Sequence, residues 1–539
     1  MTRRTALLAV ACVLALASLA WVEHKRRTPA VAGMEIAEVF ETTHPYSARR
    51  VDSLDFAQFF ARHAEYRPDS ASVADFYGRR DSQFAWILGN SLSASAESFI
   101  AFAGARDSTA PEGAGFATHL LELYEQTASG DSASRCAACS TDLELHLTAE
   151  FFRFAGRKYG GYLSGNVGEL NWFIPRAKKD PSRLLDSLAA GTMDLSDYEP
   201  IHPQYQLLKR GIEQYRAVAA EPWPALTLPR RKTKIEPGDS AAIVGEIRRR
   251  LRLLGDSTED NHSNRYDPAM GAPVKRFQAR HGLQADGIIG QSFLHAVNVP
   301  VSERLRTMLV NIERLRWVPE EIPPNLLQVN IPEFRLHVYE GGKEVSSMEV
   351  VVGAAATRTV IFSDVLSKVV FSPSWHVPAS IVRKEIVPAM RKNPAYLANH
   401  DMEIIGGTSD KPDIRQRPGP KNPLGGVKFL FPNSYDIYMH DTPSRALFER
   451  DMRAGSHGCV RLMHAGAFAE YLLRADSAWT ADRIRTAMAG GTETMVVLKE
   501  KRPVMIGYFT AWVDAAGRLN FRDDVYGHDA KLARELFVQ

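Results

Sequence analysis

The sequence predicts a multidomain α+β chain with a mainly helical N-terminal scaffold, a small three-helix module and a β-sandwich-like C-terminal domain carrying an inserted lid. Three observations predict it. The length, 539 residues, asks for three to four domains at about 150 residues each. Apolar residues recur at helical spacing up to Pro323-Pro324 and alternate with polar ones after it, a change from period 3.6 to period 2. Pro222, Pro224 and Pro229, followed by Arg230-Arg231-Lys232, form a Pro-rich basic stretch that reads as a linker between two helical units.

The elements follow in order. Arg3 and Arg4 precede an uncharged stretch from Thr5 to Val22, and Glu23 to Arg27 restore polarity; residues 1–27 therefore read as an export segment. Its 18 uncharged residues sit at the lower limit of a membrane span, while Ser18-Leu19-Ala20 suits a signal peptidase. A signal peptide and a membrane anchor both stay open. Either puts the bulk of the chain outside the cytoplasm, with membrane contact through this segment alone, and Cys12 reads as a leader residue.

Residues 34–230 are expected to form the helical scaffold; Leu54, Phe56, Phe59 and Phe60 in the run 53–66 show its periodicity. In 237–297, Ile243, Ile247, Leu251 and Leu254 mark one helix, and Val274 and Phe277 begin another that ends at Gly282. Residues 325–500 read as the β domain: Leu327, Val329 and Ile331 alternate, Phe334, Leu336 and Val338 repeat the pattern, and Gly341-Gly342 turns a hairpin into Val345 to Val352. Further strands are expected at 369–371, 427–431 and 437–439. Residues 373–426 interrupt them as a lid, its prolines limiting regular structure and Gly425-Gly426 serving as a pivot. Residues 501–539 remain as a C-terminal extension.

Composition excludes several classes. Apolar residues make up 45% and charged residues 24% of a chain with net charge +3, so it buries cores and has no charge excess to recruit nucleic acid. Four cysteines, Cys12, Cys136, Cys139 and Cys459, are too few for a disulfide-stapled scaffold. Walker, dinucleotide, HExxH and GxSxG sequences are absent, and no metal or organic cofactor is implied. Cys136 and Cys139 read as a structural disulfide or an idle thiol pair, ahead of redox or metal roles, and His146 as an ordinary helix residue.

The chemistry is expected in the run from Tyr435 to Leu462. His440 closes a predicted strand, and Cys459 follows Gly458 in a turn 19 residues later. A thiol with a reference pKa of about 8.5 needs a base or a cation nearby to become a useful nucleophile, and His440 supplies one. Gly458 lets the chain turn tightly and bring backbone N–H groups near the thiol, where an oxyanion would form. A spacing of 19 positions does not by itself put the two side chains together.

Ser456-His457-Gly458-Cys459-Val460-Arg461 resembles the Ser/Thr-His-Gly-Cys-x-Arg turn of the YkuD-type L,D-transpeptidase catalytic domain, with the upstream histidine. Phe277-Gln278, Gly282-Leu283 and the run Asp286 to Gly290 resemble the peptidoglycan-binding type 1 module. The domain order is similar to that of the large YcbB-like subgroup, and the resemblance covers roughly residues 35 to 510. It implies that Cys459 is acylated, that His440 accepts its proton, and that Arg461 and His457, with Ser456 and Gly458, shape the site or hold the donor peptide. It also implies an active-site tyrosine at Tyr438; Trp375 is a further candidate beneath the lid.

The implied function is transpeptidation in cell-wall biogenesis and cell shape. The donor is a peptidoglycan tetrapeptide stem, cut after its diamino acid, and the acceptor amine belongs to another stem, giving a 3→3 cross-link, or to a lipoprotein. Other cell-wall synthases are further candidate partners, and the implied place is the periplasm or cell envelope, with inner-membrane anchoring left open. Two alternatives stand beside this reading: an L,D-carboxypeptidase or endopeptidase, in which water resolves the thioester, and a non-catalytic wall-binding scaffold.

Overall fold

The computed structural model describes residues 47–89, 91–104, 137–162, 167–175, 180–192, 202–257, 262–319 and 321–537. The export segment, Cys12 and Cys136 lie outside them. Among the described residues no helix is long and apolar enough to cross a membrane.

The N-terminal helices pack around the long helix Ala137–Gly160, with Phe59, Phe76, Trp86, Phe99 and Phe151 buried between them. The helix Ser53–Arg62 opens on a capping box of Asp52 and Asp55, which satisfies two otherwise orphaned N–H groups. The expected run 53–66 breaks there: a 3-10 turn, Ala64–Asp69, follows with Pro68 inside it. The region is not closed off from the rest of the chain. Trp172–Phe173 adds a parallel strand to Ile361–Phe371 of the β domain, and Tyr205, Leu208, Ile212 and Tyr215 on the helix Pro203–Val218 enter the same core as that sheet.

The small module consists of helices Ala242–Leu253, Pro268–Arg280 and Gln291–Asn298 around Val244, Ile247, Phe277 and Phe293. The expected linker is packed onto it. Leu226 is buried in the module's core, the Trp223 indole N–H donates to the Val297 carbonyl at 3.0 Å, and the Arg250 guanidinium donates to the Pro224 carbonyl. Proline-rich sequence signals an extended backbone, and extended backbone can be bound as well as free.

In the C-terminal domain, strands Leu327–Asn330, Arg335–Glu340 and Lys343–Gly353 form the expected meander. Gly341 and Gly342 both have positive φ in its tight turn, the conformation a two-residue hairpin requires. The two expected layers are one continuous sheet. Ile361–Phe371 pairs with Thr494–Gly507 on one side and with Val427–Leu430 on the other, so the sheet closes on itself as small barrels do. Thr494–Gly507 is a single strand running through position 501. Tyr508, Phe521, Leu532 and Leu536 beyond it belong to the main core, so the C-terminal segment is part of this body rather than an appendage.

The insertion also has more regular structure than its prolines suggest. Trp375–His376, Lys411–Gln416 and Met402–Thr408 form a three-stranded antiparallel sheet, and Val377, Ile381, Val382, Ile386 and Ile414 make a small core of their own. Pro378 caps a helical run, and Pro388 lies inside it, just after the π turn Val382–Ile386, where its missing N–H goes with the irregular turn before it.

Candidate active site

The site is built on two short strands, Met439–His440 and Val460–Leu462, which pair in parallel with Met439 opposite Val460 and His440 opposite Arg461. Alternation along a strand sends neighbouring side chains to opposite faces. Met439, Val460 and Leu462 are buried in the core. Tyr438, His440, Cys459 and Arg461 therefore share the other face. Lys428, opposite His440 on the neighbouring strand Val427–Leu430, joins them.

The turn before Cys459 is held by hydroxyls. Gly458 has φ +123°, a region side chains rarely adopt. The Ser456 hydroxyl donates to the Cys459 carbonyl at 2.6 Å and accepts the Gly458 N–H at 3.1 Å. Thr359 donates to the Gly458 carbonyl at 2.7 Å and Thr357 to the Ser456 carbonyl at 2.8 Å. The Gly458 N–H is thus engaged within the turn, and the Cys459 N–H is the backbone donor left for an oxyanion. Thr357 and Thr359 have no signature of their own in the sequence, since they lie about 100 residues upstream.

The candidate nucleophile is half-buried. Its thiol donates to the Asp436 carbonyl at 3.6 Å, and Tyr438 lies beside the sulfur. Burial pushes the thiol pKa above its ordinary value, against the lowering effect of Tyr438 and the Arg461 charge. Trp375, on the first strand of the insertion, lies beside Tyr438. Asp436 is a non-glycine residue with φ 56°. The Asn433 side-chain amide shapes its loop, its oxygen accepting from the N–H groups of Tyr435 at 3.0 Å and Ile437 at 3.1 Å. An Asx turn between two strands was the available signal for that loop.

His440 is buried, and its Nδ1 donates to the Asp441 carbonyl at 2.5 Å. Burial first, and then the Arg461 charge, lower its pKa to about 3. The resting pair is consequently a neutral thiol and a neutral imidazole on one face, with the thiol bonded to Asp436 and not to His440. Arg461 has its Nε buried without a hydrogen-bond partner, and burial lowers its pKa too. His457 points elsewhere. Its Nε2 meets the Glu385 carboxylate of the insertion at 3.0 Å, both side chains about half exposed.

Of the sequence candidates, Cys459, His440, Tyr438, Arg461 and Trp375 come together, Ser456 and Gly458 shape the turn, and His457 faces the insertion. Of the remaining cysteine pair, Cys136 lies outside the described residues, and Cys139 is exposed at the start of the long helix. His146 proves less ordinary than its helix suggests. Donor atoms of His63, Asp142 and His146 lie within 4.8 Å of one another, with Asp142 also paired to Arg62 at 2.8 Å.

Residues 324–504 match the family model of the YkuD L,D-transpeptidase catalytic domain. That part of the chain is similar to an L,D-transpeptidase catalytic domain. Residues 71–211 match the Scaffold domain and residues 240–297 the "Putative peptidoglycan binding domain". A Haemophilus influenzae protein described as "Putative L,D-transpeptidase" is 32% identical over 241 residues, 42% of this chain and 48% of that protein; the match spans about half the length of that relative. Among solved structures, an L,D-transpeptidase from Stackebrandtia nassauensis is 15% identical, with 52% of this chain and 98% of that one covered at a TM-score of 0.23. L,D-transpeptidase 3 from Mycobacterium tuberculosis is 16% identical, with 34% and 61% covered at 0.18.

Proposed function

We propose that the protein is a cell-envelope peptidoglycan L,D-transpeptidase that works through a thioester on Cys459. The observation that carries this reading is the shared face of Cys459, His440, Tyr438 and Arg461 on two paired strands. His440 takes the thiol proton as sulfur attacks the carbonyl after the diamino acid of a tetrapeptide stem. The Cys459 N–H receives the oxyanion, and the Tyr438 hydroxyl supports the sulfur while it carries charge. Collapse of the adduct expels D-alanine, its amine taking the proton from His440. An acceptor amine, on a second stem or on a lipoprotein, then displaces sulfur and leaves an amide.

The neutral resting pair gives substrate a part in activation. An anionic group of the donor placed against Arg461 offsets the charge that depresses His440 and raises its affinity for the thiol proton. The insertion, which sets Glu385 against His457 of the cysteine turn, covers the thioester and limits loss to water. The 34–230 scaffold and the 237–297 module hold the enzyme on the wall, outside the cytoplasm.

Mass spectrometry of tetrapeptide muropeptides incubated with the full chain tests the proposal. Cross-linked dimers with D-alanine release are expected, and Cys459→Ala should form none while keeping its circular dichroism. Tripeptide alone as product would make the enzyme a carboxypeptidase, and turnover by the folded alanine variant would remove Cys459 from the mechanism.

A further inference from the structure

A cavity of about 370 Å³ lies where the small module meets the rest of the chain. Gln291, Ser292 and His295 of the module's last helix line one side, Arg304 the next helix, Asp451 the segment leading to the cysteine turn, and Arg522 and Asp523 the C-terminal hairpin. Its volume is that of a small-ligand site, enough for one amino-acid group and not for a whole stem.

Its charge is unusual. Arg304 and Arg522 are half-buried, and among the described residues neither has a carboxylate within ion-pair distance, whereas Arg280 beside them is buried and paired with Asp256 at 2.5 Å. Arg304 lies over the Phe521 ring at 4.7 Å and Arg522 over the Trp512 ring at 4.9 Å. Backbone carbonyls fix them further: Arg304 donates to Ala296 at 3.0 Å, and Arg522 to Arg280 at 2.9 Å and to Phe521 at 2.7 Å. Aromatic faces hold each guanidinium in place without neutralising it. Burial lowers the pKa of both, Arg304 to about 10, and burial with the surrounding arginines holds His281 neutral. Two fixed arginines beside a cavity, neither in a direct ion pair although the Asp523 charge reaches both, form a receptor for a carboxylate, and Asp451 and Asp523 at the same cavity suit an ammonium.

We propose that this cavity binds a zwitterionic α-amino-acid end, the group carried by the distal end of a stem's diamino acid and also by a free amino acid. It rests on the wall-enzyme reading only for the first of these sources. A stem held here is tethered beside the segment that leads from Asp451 to the cysteine turn, separately from a stem in the catalytic groove.

The test uses the full chain with Cys459→Ala, titrated calorimetrically with a diaminopimelate tripeptide, the same tripeptide with lysine in place of the diamino acid, and D-alanine. The diaminopimelate peptide should occupy a site whose affinity falls about tenfold with Arg304→Gln, Arg522→Gln or lysine in the ligand, the loss of one charge-assisted contact. Ser292→Glu, an exposed position at the cavity, should compete for the arginines and give the same loss without touching the packed guanidinium groups. Equal affinity in the parent and in folded Ser292→Glu and Arg304→Gln variants would overturn the proposal. D-alanine binding as tightly as the tripeptide would assign the site to free amino acids and overturn the tether. Tetrapeptide turnover by the Cys459 enzyme carrying Ser292→Glu is read separately, so a failure of the catalytic reading leaves the titration interpretable.

Discussion

Protonating His440 should loosen the catalytic domain in acid by an amount that can be worked out in advance. An unfolded imidazole titrates near about 6.5, whereas burial and the Arg461 charge hold folded His440 at about 3. Because the folded value is depressed, its contribution to stability is complete above about pH 6.5 and is lost as pH falls from there toward the folded value. At pH 5 the unfolded chain holds nearly a full proton at this position and the folded chain almost none, a penalty of about 2 kcal/mol. His440→Gln removes the titration and keeps an amide N–H for the Asp441 carbonyl. His281 is also depressed by burial and acts with the same sign in both proteins, so it cancels in the comparison. Urea unfolding followed by tryptophan fluorescence at pH 7, 6 and 5 should show wild type losing about 2 kcal/mol more than His440→Gln between the extremes. Parallel pH curves would refute both the buried neutral imidazole and the mechanism that begins from it.

Gly458→Ala should cost about 1–3 kcal/mol, because the new side chain meets a strained φ and not a crowded space, and iodoacetamide labelling of Cys459 should slow with it. Glu385→Gln should change stability by less than about 1 kcal/mol, since its pair with His457 is half exposed. The same variant should shift products from cross-linked dimers toward hydrolysed tripeptides, read by chromatography of muropeptides. Trp172→Ala, at a buried position packed on Trp317 and Phe509, should cost about 3–5 kcal/mol, measured as a fall in the catalytic domain's unfolding midpoint.

The cysteine turn was legible because its pattern is local: glycine for a bend at positive φ, a cysteine after it, and a strand-end histidine. The meander was legible from alternation, with Gly341-Gly342 marking its turn. What supports the turn was not, because Thr357 and Thr359 act across the sheet and hydroxyl contacts have no periodicity. Closure of the sheet was also hidden, since the register between Val427–Leu430 and Ile361–Phe371 depends on non-local pairing. The linker and insertion misled in the same way: proline reports a restricted φ and a missing donor, and says nothing about whether neighbouring side chains are buried.

Phe173, from the segment beside the helical scaffold, lies against Tyr435 at 5.3 Å between ring centres, and Tyr435 against Phe362 at 5.2 Å. Tyr435 immediately precedes Asp436, whose carbonyl accepts the resting thiol. A fragment expressed from residue 325 onward would therefore lose both the strand at Trp172–Phe173 and the ring bracing that loop. Inhibitors selected on such a fragment would meet a cysteine whose resting partner is no longer clamped, and their ranking would not carry over to the whole protein.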